Sequence, residues 1–393
     1  MDIYGNIWKK GAGKISAKKV AREARRLWRQ ITDVFPYVFV WRWKKWRGET
    51  DGTVAYLQSP IHYVMFENIH RCLPDVRIVA GNEKTARYLA ARGIDHFTGR
   101  LYPDAVIFAD YNQNRYPVGI RKIQIYHGVG PKNYYYAKGD KDMHYLVPGR
   151  YAAERLRTQG KENVHVVGYP KTDGFFSGRL AKEEICRRLG ADPGRKTLLY
   201  TPTWGEASTA PVLYKDLDRL GARYNVIAKL HDHSPEEWRA LYRGLPNVIF
   251  CEDADPTAYQ YIADLLISDF SNSIFEYAQL GRPVIAYGVS DETLRTNATD
   301  PRWWDMTCRA ATPAELEDKV AELLAGGWRP SEYYRRLIGD IFAYSDGRCA
   351  ERAAAAIESI AGRSAVRAGR EYGPEAGLGA PLGEGAATLK PRR

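Results

Sequence analysis

From Thr53 onward the chain alternates short, almost uninterrupted apolar runs with stretches of helical periodicity, and it does so twice over. The first series is TVAYLQS, RIVAG, DAVIFAD, KIQIYHG, MHYLVPG and NVHVVGYP; the second is KTLLYTPT, YNVIAKLH, NVIFCED, DLLISD and PVIAYG. Runs rich in Val, Ile and Leu with no polar alternation are the pattern of strands buried on both faces, as in parallel sheets covered by helices. Between them lie helical patterns such as HYVMFENIHRCL, EKTARYLAARG and YAAERLRTQG. Ser234-Pro235-Glu236-Glu237 and Thr312-Pro313-Ala314-Glu315 each offer a cap residue, a proline at N1 and a glutamate at N3. Two such series of similar size, joined near Lys171–Leu180, predict an α/β chain with two Rossmann-like domains facing across a cleft, residues 51–170 and 171–361. Outside them stand a basic segment, 1–50, and a Gly/Ala/Pro-rich tail, 362–393, expected to be disordered.

The formal net charge of +11 suggests an anionic partner, but its placement decides which one. Residues 1–50 carry +9 and the tail +3, leaving the body at −1. A near-neutral body argues against nucleic acid as the ligand of the folded domains. The five cysteines are scattered, with no CxxC pair, so neither a disulfide framework nor a zinc site is expected. No secretory leader is read in the first thirty residues. The longest apolar candidate, Pro36–Trp41, falls far short of the roughly 20 residues that a spanning helix requires.

Ligands of doubly wound sheets sit outside the carboxyl ends of the strands, so the chemistry is sought there. The run KIQIYHGVGPKNYYY ends a strand at Tyr126 and His127, then enters a loop containing Lys132. His127 reads either as a solvated strand-end histidine or as a base at the mouth of a cleft. DLLISDFSNSIFEYAQLG ends a strand at Ser268 and Asp269, and Ser271, Asn272 and Ser273 then open a helix. That start can hold a phosphate through N–H and hydroxyl donors, or it can be ordinary N-capping by Asp269 or Ser271. VIAKLHDHS ends a strand at His231, with Lys229 two residues back on the same face. An imidazole there can donate to a phosphate oxygen or serve structure alone. LLYTPTWGEAS brings Thr203 to the end of the first strand of the second series, as a cleft residue or a cap. No GxGxxG or Walker A motif is present. The acidic pairs Asp253/Asp255 and Asp140/Asp142 read as turns, and no metal or other cofactor is expected.

These strand ends, taken in order, resemble the CDP-glycerol glycerophosphotransferases, the teichoic-acid glycerol-phosphate primases and polymerases. The resemblance runs through Tyr126-His127-Gly128 with Lys132, Gly168-Tyr169-Pro170-Lys171-Thr172-Asp173, and Tyr200-Thr201-Pro202-Thr203-Trp204. It continues through Lys229-Leu230-His231-Asp232, Ser268-Asp269-Phe270-Ser271-Asn272-Ser273-Ile274-Phe275-Glu276, and Asp346-Gly347 with Glu351-Arg352. Val129, Lys171, Gly205, Asp232 and Asn272 depart from the family's usual Thr, Arg, Arg, Pro and Ser. The resemblance implies a GT-B-like fold. It also implies transfer of glycerol phosphate, or a similar alditol phosphate, from a CDP-activated donor to a hydroxyl of a lipid-linked glycan, with CMP leaving. His127 would take the hydroxyl proton, with Tyr126 and Lys132 on the acceptor side. Asp269 is assigned to the catalytic group with His231. Lys229, Thr203, Ser271, Asn272 and Ser273 would hold the donor, and Glu276 its ribose.

The N-terminal segment suits a lipid-linked acceptor. Val20, Ala24, Leu27, Ile31 and Val34 recur at helical spacing opposite Lys and Arg, and Trp41, Trp43 and Trp46 follow among cations. Such a mixture favours the headgroup region of an anionic leaflet, which places the protein peripherally at the cytoplasmic face of the membrane. The competing expectation is a helix packed on its own domain. Two other functions share parts of this pattern: a GT-B glycosyltransferase using a nucleotide sugar, and a non-catalytic nucleic-acid-binding protein using the basic arm and Tyr134–Tyr136.

Overall fold

The computed structural model describes residues 34–109, 116, 119–126, 128–130, 136, 139, 141–297, 300–326 and 328–362. Two parallel sheets of six strands each form among them. The first contains β1 (Thr53–Leu57), β2 (Arg77–Ala80), β3 (Ala105–Phe108), β4 (Arg121–Ile125), β5 (His144–Val147) and β6 (Val164–Val166), in the order β2-β1-β3-β4-β5-β6. The second contains β7 (Thr197–Tyr200), β8 (Asn225–Lys229), β9 (Val248–Cys251), β10 (Leu265–Ser268), β11 (Val284–Tyr287) and β12 (Cys308–Ala310), in the order β12-β11-β10-β7-β8-β9. Eleven of these strands match the apolar runs. β12 is the exception: a three-residue edge strand with an exposed arginine has no apolar run to announce it.

Both faces of the second sheet are buried. Leu198, Tyr200, Val226, Ala228, Leu265 and Ile267 fill one layer, while Leu199, Ile227 and Leu266 fill the other. That is why these strands carry no polar alternation. Thr312 caps its helix as expected, accepting from Glu315 N at 3.2 Å. The other expected cap does not form. The helix Glu236–Arg243 starts one residue later than the Ser-Pro-Glu-Glu pattern implies, and Ser234 makes no cap bond to it.

The expected domain boundaries shift at both ends. The helix Cys349–Ala361 belongs with the first sheet: Ala353, Ile357 and Ile360 join Met65 and Ile69 of the helix Pro60–Cys72 in one core. Arg121, which begins β4, donates to Ala361 O at 2.9 Å. The chain therefore crosses to the second domain near Pro170 and returns near Cys349, so 171–361 is not one unit. At the other end, the helix Phe35–Arg47 docks on the first domain, so residues 35–47 do not stand apart from it. Tyr37 and Trp41 are buried, and they donate to Leu101 O at 2.7 Å and Pro103 O at 2.8 Å. Gly119, at φ +102°, lets the Trp41 ring approach so closely that a Cβ there would meet it at 3.3 Å. The residues 1–33 and the tail 363–393 lie outside the described residues.

Candidate active site

In the second sheet the strand order reverses between β7 and β10. One series runs outward through β8 and β9, the other through β11 and β12. The loops leaving β7 and β10 therefore part, and the crevice between them is where a doubly wound sheet takes a ligand.

Asp269, the residue after β10, ties the two loops together. Its carboxylate is 1% exposed and accepts from Thr203 N at 2.6 Å, Thr209 N at 2.9 Å and Thr209 Oγ1 at 3.0 Å. Burial pushes its pKa up to about 6, against the opposing pull of these hydrogen bonds. All three of these hydrogen bonds are to the β7 loop. Where a catalytic role was expected, the structure shows Asp269 as a brace of the crevice, its carboxylate engaged by the β7 loop. Thr203 is held by the same brace, with its carbonyl accepting from Ser208 Oγ at 2.8 Å.

Past Asp269 the chain turns through Ser271 and Asn272 into a helix of six residues, Ser273–Ala278, which has no side-chain cap. Asp269 faces away from it, so capping by Asp269 does not occur. Instead a line of hydroxyls forms. Thr201 Oγ1 lies 2.8 Å from Ser273 Oγ, which lies 2.8 Å from Ser271 Oγ. Ser271, Asn272 and Ser273 are half-buried at the crevice. Thr201 was not singled out from sequence; its place in LLYTPTW was the only available signal.

His231 follows β8 in the same rim. Its Nδ1 accepts from His233 N at 3.1 Å, and this bond assigns the proton of the neutral ring to Nε2. Its ring neighbours Trp204 at 5.9 Å and His233 at 5.3 Å, and Trp204 is half exposed. Lys229 is different. Its ammonium is buried and donates to Asp232 Oδ1 at 2.8 Å and Leu230 O at 2.9 Å. Burial alone would raise the Asp232 pKa, but Lys229, and then His231 and Lys84, hold it below the usual carboxylate range. Lys229, expected as a donor ligand, braces the β8 loop in this structure. The aspartate that supplies this partner stands where the resemblance has proline.

Glu276 also departs from expectation. It is 4% exposed, and its carboxylate accepts from Lys171 Nζ at 2.6 Å, Tyr169 Oη at 2.8 Å and Gln260 Nε2 at 3.4 Å. Both oxygens are engaged inside the protein, where a ribose ligand was expected. Tyr126 is likewise a core residue. It is 4% exposed, packs with Tyr136, Met143 and Tyr145, and burial drives its phenol pKa well upward. An acceptor-side contact was expected at this position.

His127 and Lys132 lie outside the described residues. Their neighbour Gly130 is described, and it touches the other domain: a Cβ at Gly130 would fall 2.4 Å from Asn272 Oδ1. Gly130 O accepts from Tyr136 Oη at 3.3 Å. The segment after β4 thus meets the Ser271–Ser273 turn across the cleft. The acidic pair Asp253/Asp255 behaves as a turn, with Asp255 accepting from Thr257 N at 2.9 Å and Asp253 from Tyr259 Oη.

Known proteins share this chain's sequence pattern and its fold. The family described as CDP-Glycerol:Poly(glycerophosphate) glycerophosphotransferase matches residues 132–359. A teichoic acid poly(glycerol phosphate) polymerase of Bacillus spizizenii is 29% identical over 196 residues, 46% of this chain and 50% of that protein. The teichoic acid ribitol-phosphate polymerase TarK of Staphylococcus aureus is 28% identical over 209 residues, 49% of this chain and 40% of that one. The chain spans about half the length, or less, of these curated relatives. Among solved structures, the wall teichoic acid polymerase TagF superposes with a TM-score of 0.58 at 16% identity, over 86% of this chain and 98% of that one. The S. aureus MnaA-UDP co-structure gives 0.53 at 15%, over 79% and 97%. At such identities the likeness is one of fold, two α/β domains in a GT-B-like arrangement. The sequence match is more specific. It covers more than half of the chain, including the whole crevice between β7 and β10 and its rim, and by it the protein belongs to the CDP-glycerol:poly(glycerophosphate) glycerophosphotransferase family.

Proposed function

We propose that the chain transfers glycerol phosphate, or a similar alditol phosphate, from a CDP-activated donor to a hydroxyl of a lipid-linked glycan in wall-polymer synthesis. The observation that carries this reading is the set of donors at the strand-order reversal: the hydroxyls of Thr201, Ser271 and Ser273, with the Nε2–H of His231 on the same rim. Hydroxyl and imidazole N–H groups suit diphosphate oxygens, whose charge grows at the leaving group as the bond breaks. The acceptor oxygen forms a bond to the β-phosphorus, and the bond from that phosphorus to the bridging oxygen breaks. CMP leaves with that electron pair. The hydroxyl proton goes to His127, whose ordinary pKa near 6.5 suits a base at neutral pH. Lys132 would neutralise charge on the acceptor side, in keeping with the family resemblance.

The site of action is the cytoplasmic face of the membrane. Phe35, Phe39, Trp43 and Trp46 are 67%, 75%, 46% and 84% exposed. At 3.6 residues per turn they share one face of the helix Phe35–Arg47, opposite the docked Tyr37 and Trp41. Arg42 and Arg47 flank that face, and the Arg47 guanidinium sits 4.8 Å from the Trp43 ring. Aromatic rings among cations are the composition of a helix lying in an anionic interface. Among the described residues no helix is long and apolar enough to cross a membrane.

The test is a titration of the whole chain with CDP-glycerol, CDP-ribitol, UDP-sugars and GDP-sugars, followed by thermal melting. CDP-alditols should raise the melting temperature, and CMP should compete with them. Replacing Ser271 and Ser273 together by alanine should weaken CDP-alditol binding, at about 1.5–3 kcal/mol for each hydrogen bond lost to a charged oxygen. A shift with sugar nucleotides alone would make the chain a glycosyltransferase.

A further inference from the structure

The buried ion pair between Lys171 and Glu276 lies away from the crevice, and the mechanism above makes no use of it. Both side chains are almost fully buried, at 5% and 6% exposure. Burying two charges has a desolvation cost that an apolar pair avoids, so such a pair is weak evidence for stability. Its location points to another use. Lys171 belongs to the segment Pro170–Phe175, where the chain leaves the first domain. Glu276 lies one turn into the helix that Ser273 opens, three residues from the hydroxyl line of the donor crevice.

The crossing segment is gripped on every side. Pro170 O accepts from Asn68 Nδ2 of the first domain at 2.8 Å. Thr172 Oγ1 and Gln279 bond at the end of the donor-side helix, with Gln279 Nε2 at 3.1 Å. The Asp173 carboxylate accepts from Cys349 N at 3.0 Å and Ala350 N at 2.7 Å, capping the helix by which the chain returns. Gly168, at φ +90°, admits Cys349 so closely that a Cβ there would meet its Sγ at 2.4 Å. Outgoing chain, returning chain and donor-side helix therefore meet within six residues of sequence, Gly168–Asp173. At Glu276 this junction reaches the donor-side helix by a charged contact.

We propose that Lys171, Glu276 and Tyr169 form a clasp that fixes the height and tilt of the Ser271–Ser273 turn relative to the first domain. They are positioning residues. A helix of six residues is too short to bend, so a hold on Glu276 is a hold on Ser273. The same turn carries Asn272, which meets Gly130 across the cleft. Loss of the clasp leaves the donor's own contacts within the second domain but lets the two domains drift apart. Transfer needs groups from both domains, and a displacement of about 1 Å can cost on the order of 10²-fold in rate.

The inference rests on the donor crevice proposed above, and its test separates the two. Lys171→Met is compared with Lys171→Arg, which keeps the charge, and with Lys171→Met/Glu276→Met, which leaves no orphaned charge and so protects folding. Small-angle scattering of the full chain reads domain separation without any ligand. Lys171→Met and the double variant should both broaden the distance distribution, and Lys171→Arg should not. With CDP-glycerol as donor, kcat should fall roughly 10²-fold in both clasp-less proteins. The dissociation constant for CDP should stay within about twofold, and Lys171→Arg should recover most of kcat. An unchanged scattering profile in the folded double variant overturns the clasp. So does a loss of CDP affinity that matches the loss of kcat, because the pair would then be part of the donor site. Failure of the wild-type chain to bind CDP would instead sink the functional reading, and scattering would still decide the clasp.

Discussion

Replacing Asp269 by asparagine should remove a pH dependence of stability that runs opposite to the usual one for a carboxylate. The group is buried, and its folded pKa is raised from 3.8 to about 6. The folded protein therefore holds this proton more tightly than the unfolded chain does. Its contribution to stability is full below pH 3.8 and is lost as pH rises through about 6. Between about pH 4.5 and pH 7.5 that loss integrates to roughly 1.4 pK units, or about 2 kcal/mol. Asparagine does not titrate, so the variant lacks this slope. It also turns an amide N–H2 toward either Thr203 N or the Thr209 donors, giving up a charged hydrogen bond worth about 1.5–3 kcal/mol. Near neutral pH that loss is offset by relief of the buried charge, about 3 kcal/mol for two pK units, and the two proteins should have similar stability. Toward pH 4.5 the variant should fall behind by about 2 kcal/mol. Urea unfolding of both proteins across this range measures the gap, and the difference cancels all other titrating groups. A gap that stays constant, or that widens toward neutral pH, would refute the assignment of the carboxylate as a buried brace with a raised pKa.

Two further outcomes test other parts of the reading. If His231 acts through Nε2–H, His231→Gln, whose amide nitrogen approximates that position, should retain more CDP affinity than His231→Asn, which approximates Nδ1. The gap should be about 1–2 kcal/mol by titration, and equal losses would point to the ring's charge or packing instead. Trp41→Ala should destabilise the chain by about 3–5 kcal/mol, because a buried ring and its bond to Pro103 O are lost. Trp46→Ser should leave stability unchanged but reduce pelleting with phosphatidylglycerol vesicles; the reverse pattern would place the wrong face of that helix on the lipid.

Local chemistry was enough for eleven of the twelve strands and their order. The runs around Val54, Ile123, Ile227 and Ile267 had to be strands, because β-branched and aliphatic side chains without alternation need cover on both faces. Thr312 and Glu315 announced their helix start for the same local reason. The strand ends that form the crevice were legible too, since a parallel sheet places its ligand at the carboxyl edge whatever its details. The partners of the charged residues were not legible. A carboxylate after a strand reads the same whether it faces a ligand or a backbone N–H sixty-six residues away, as Asp269 does with Thr203. Glu276 meets Lys171 at a separation of 105 residues, and Asp173 meets Cys349 at 176. A buried charge must find a partner, but strand order and the crossing of the chain between domains choose which one. Only the tertiary structure brings β10 beside β7 and the outgoing segment beside the returning helix, and so gives Asp269, Glu276 and Lys229 the protein partners that brace the site.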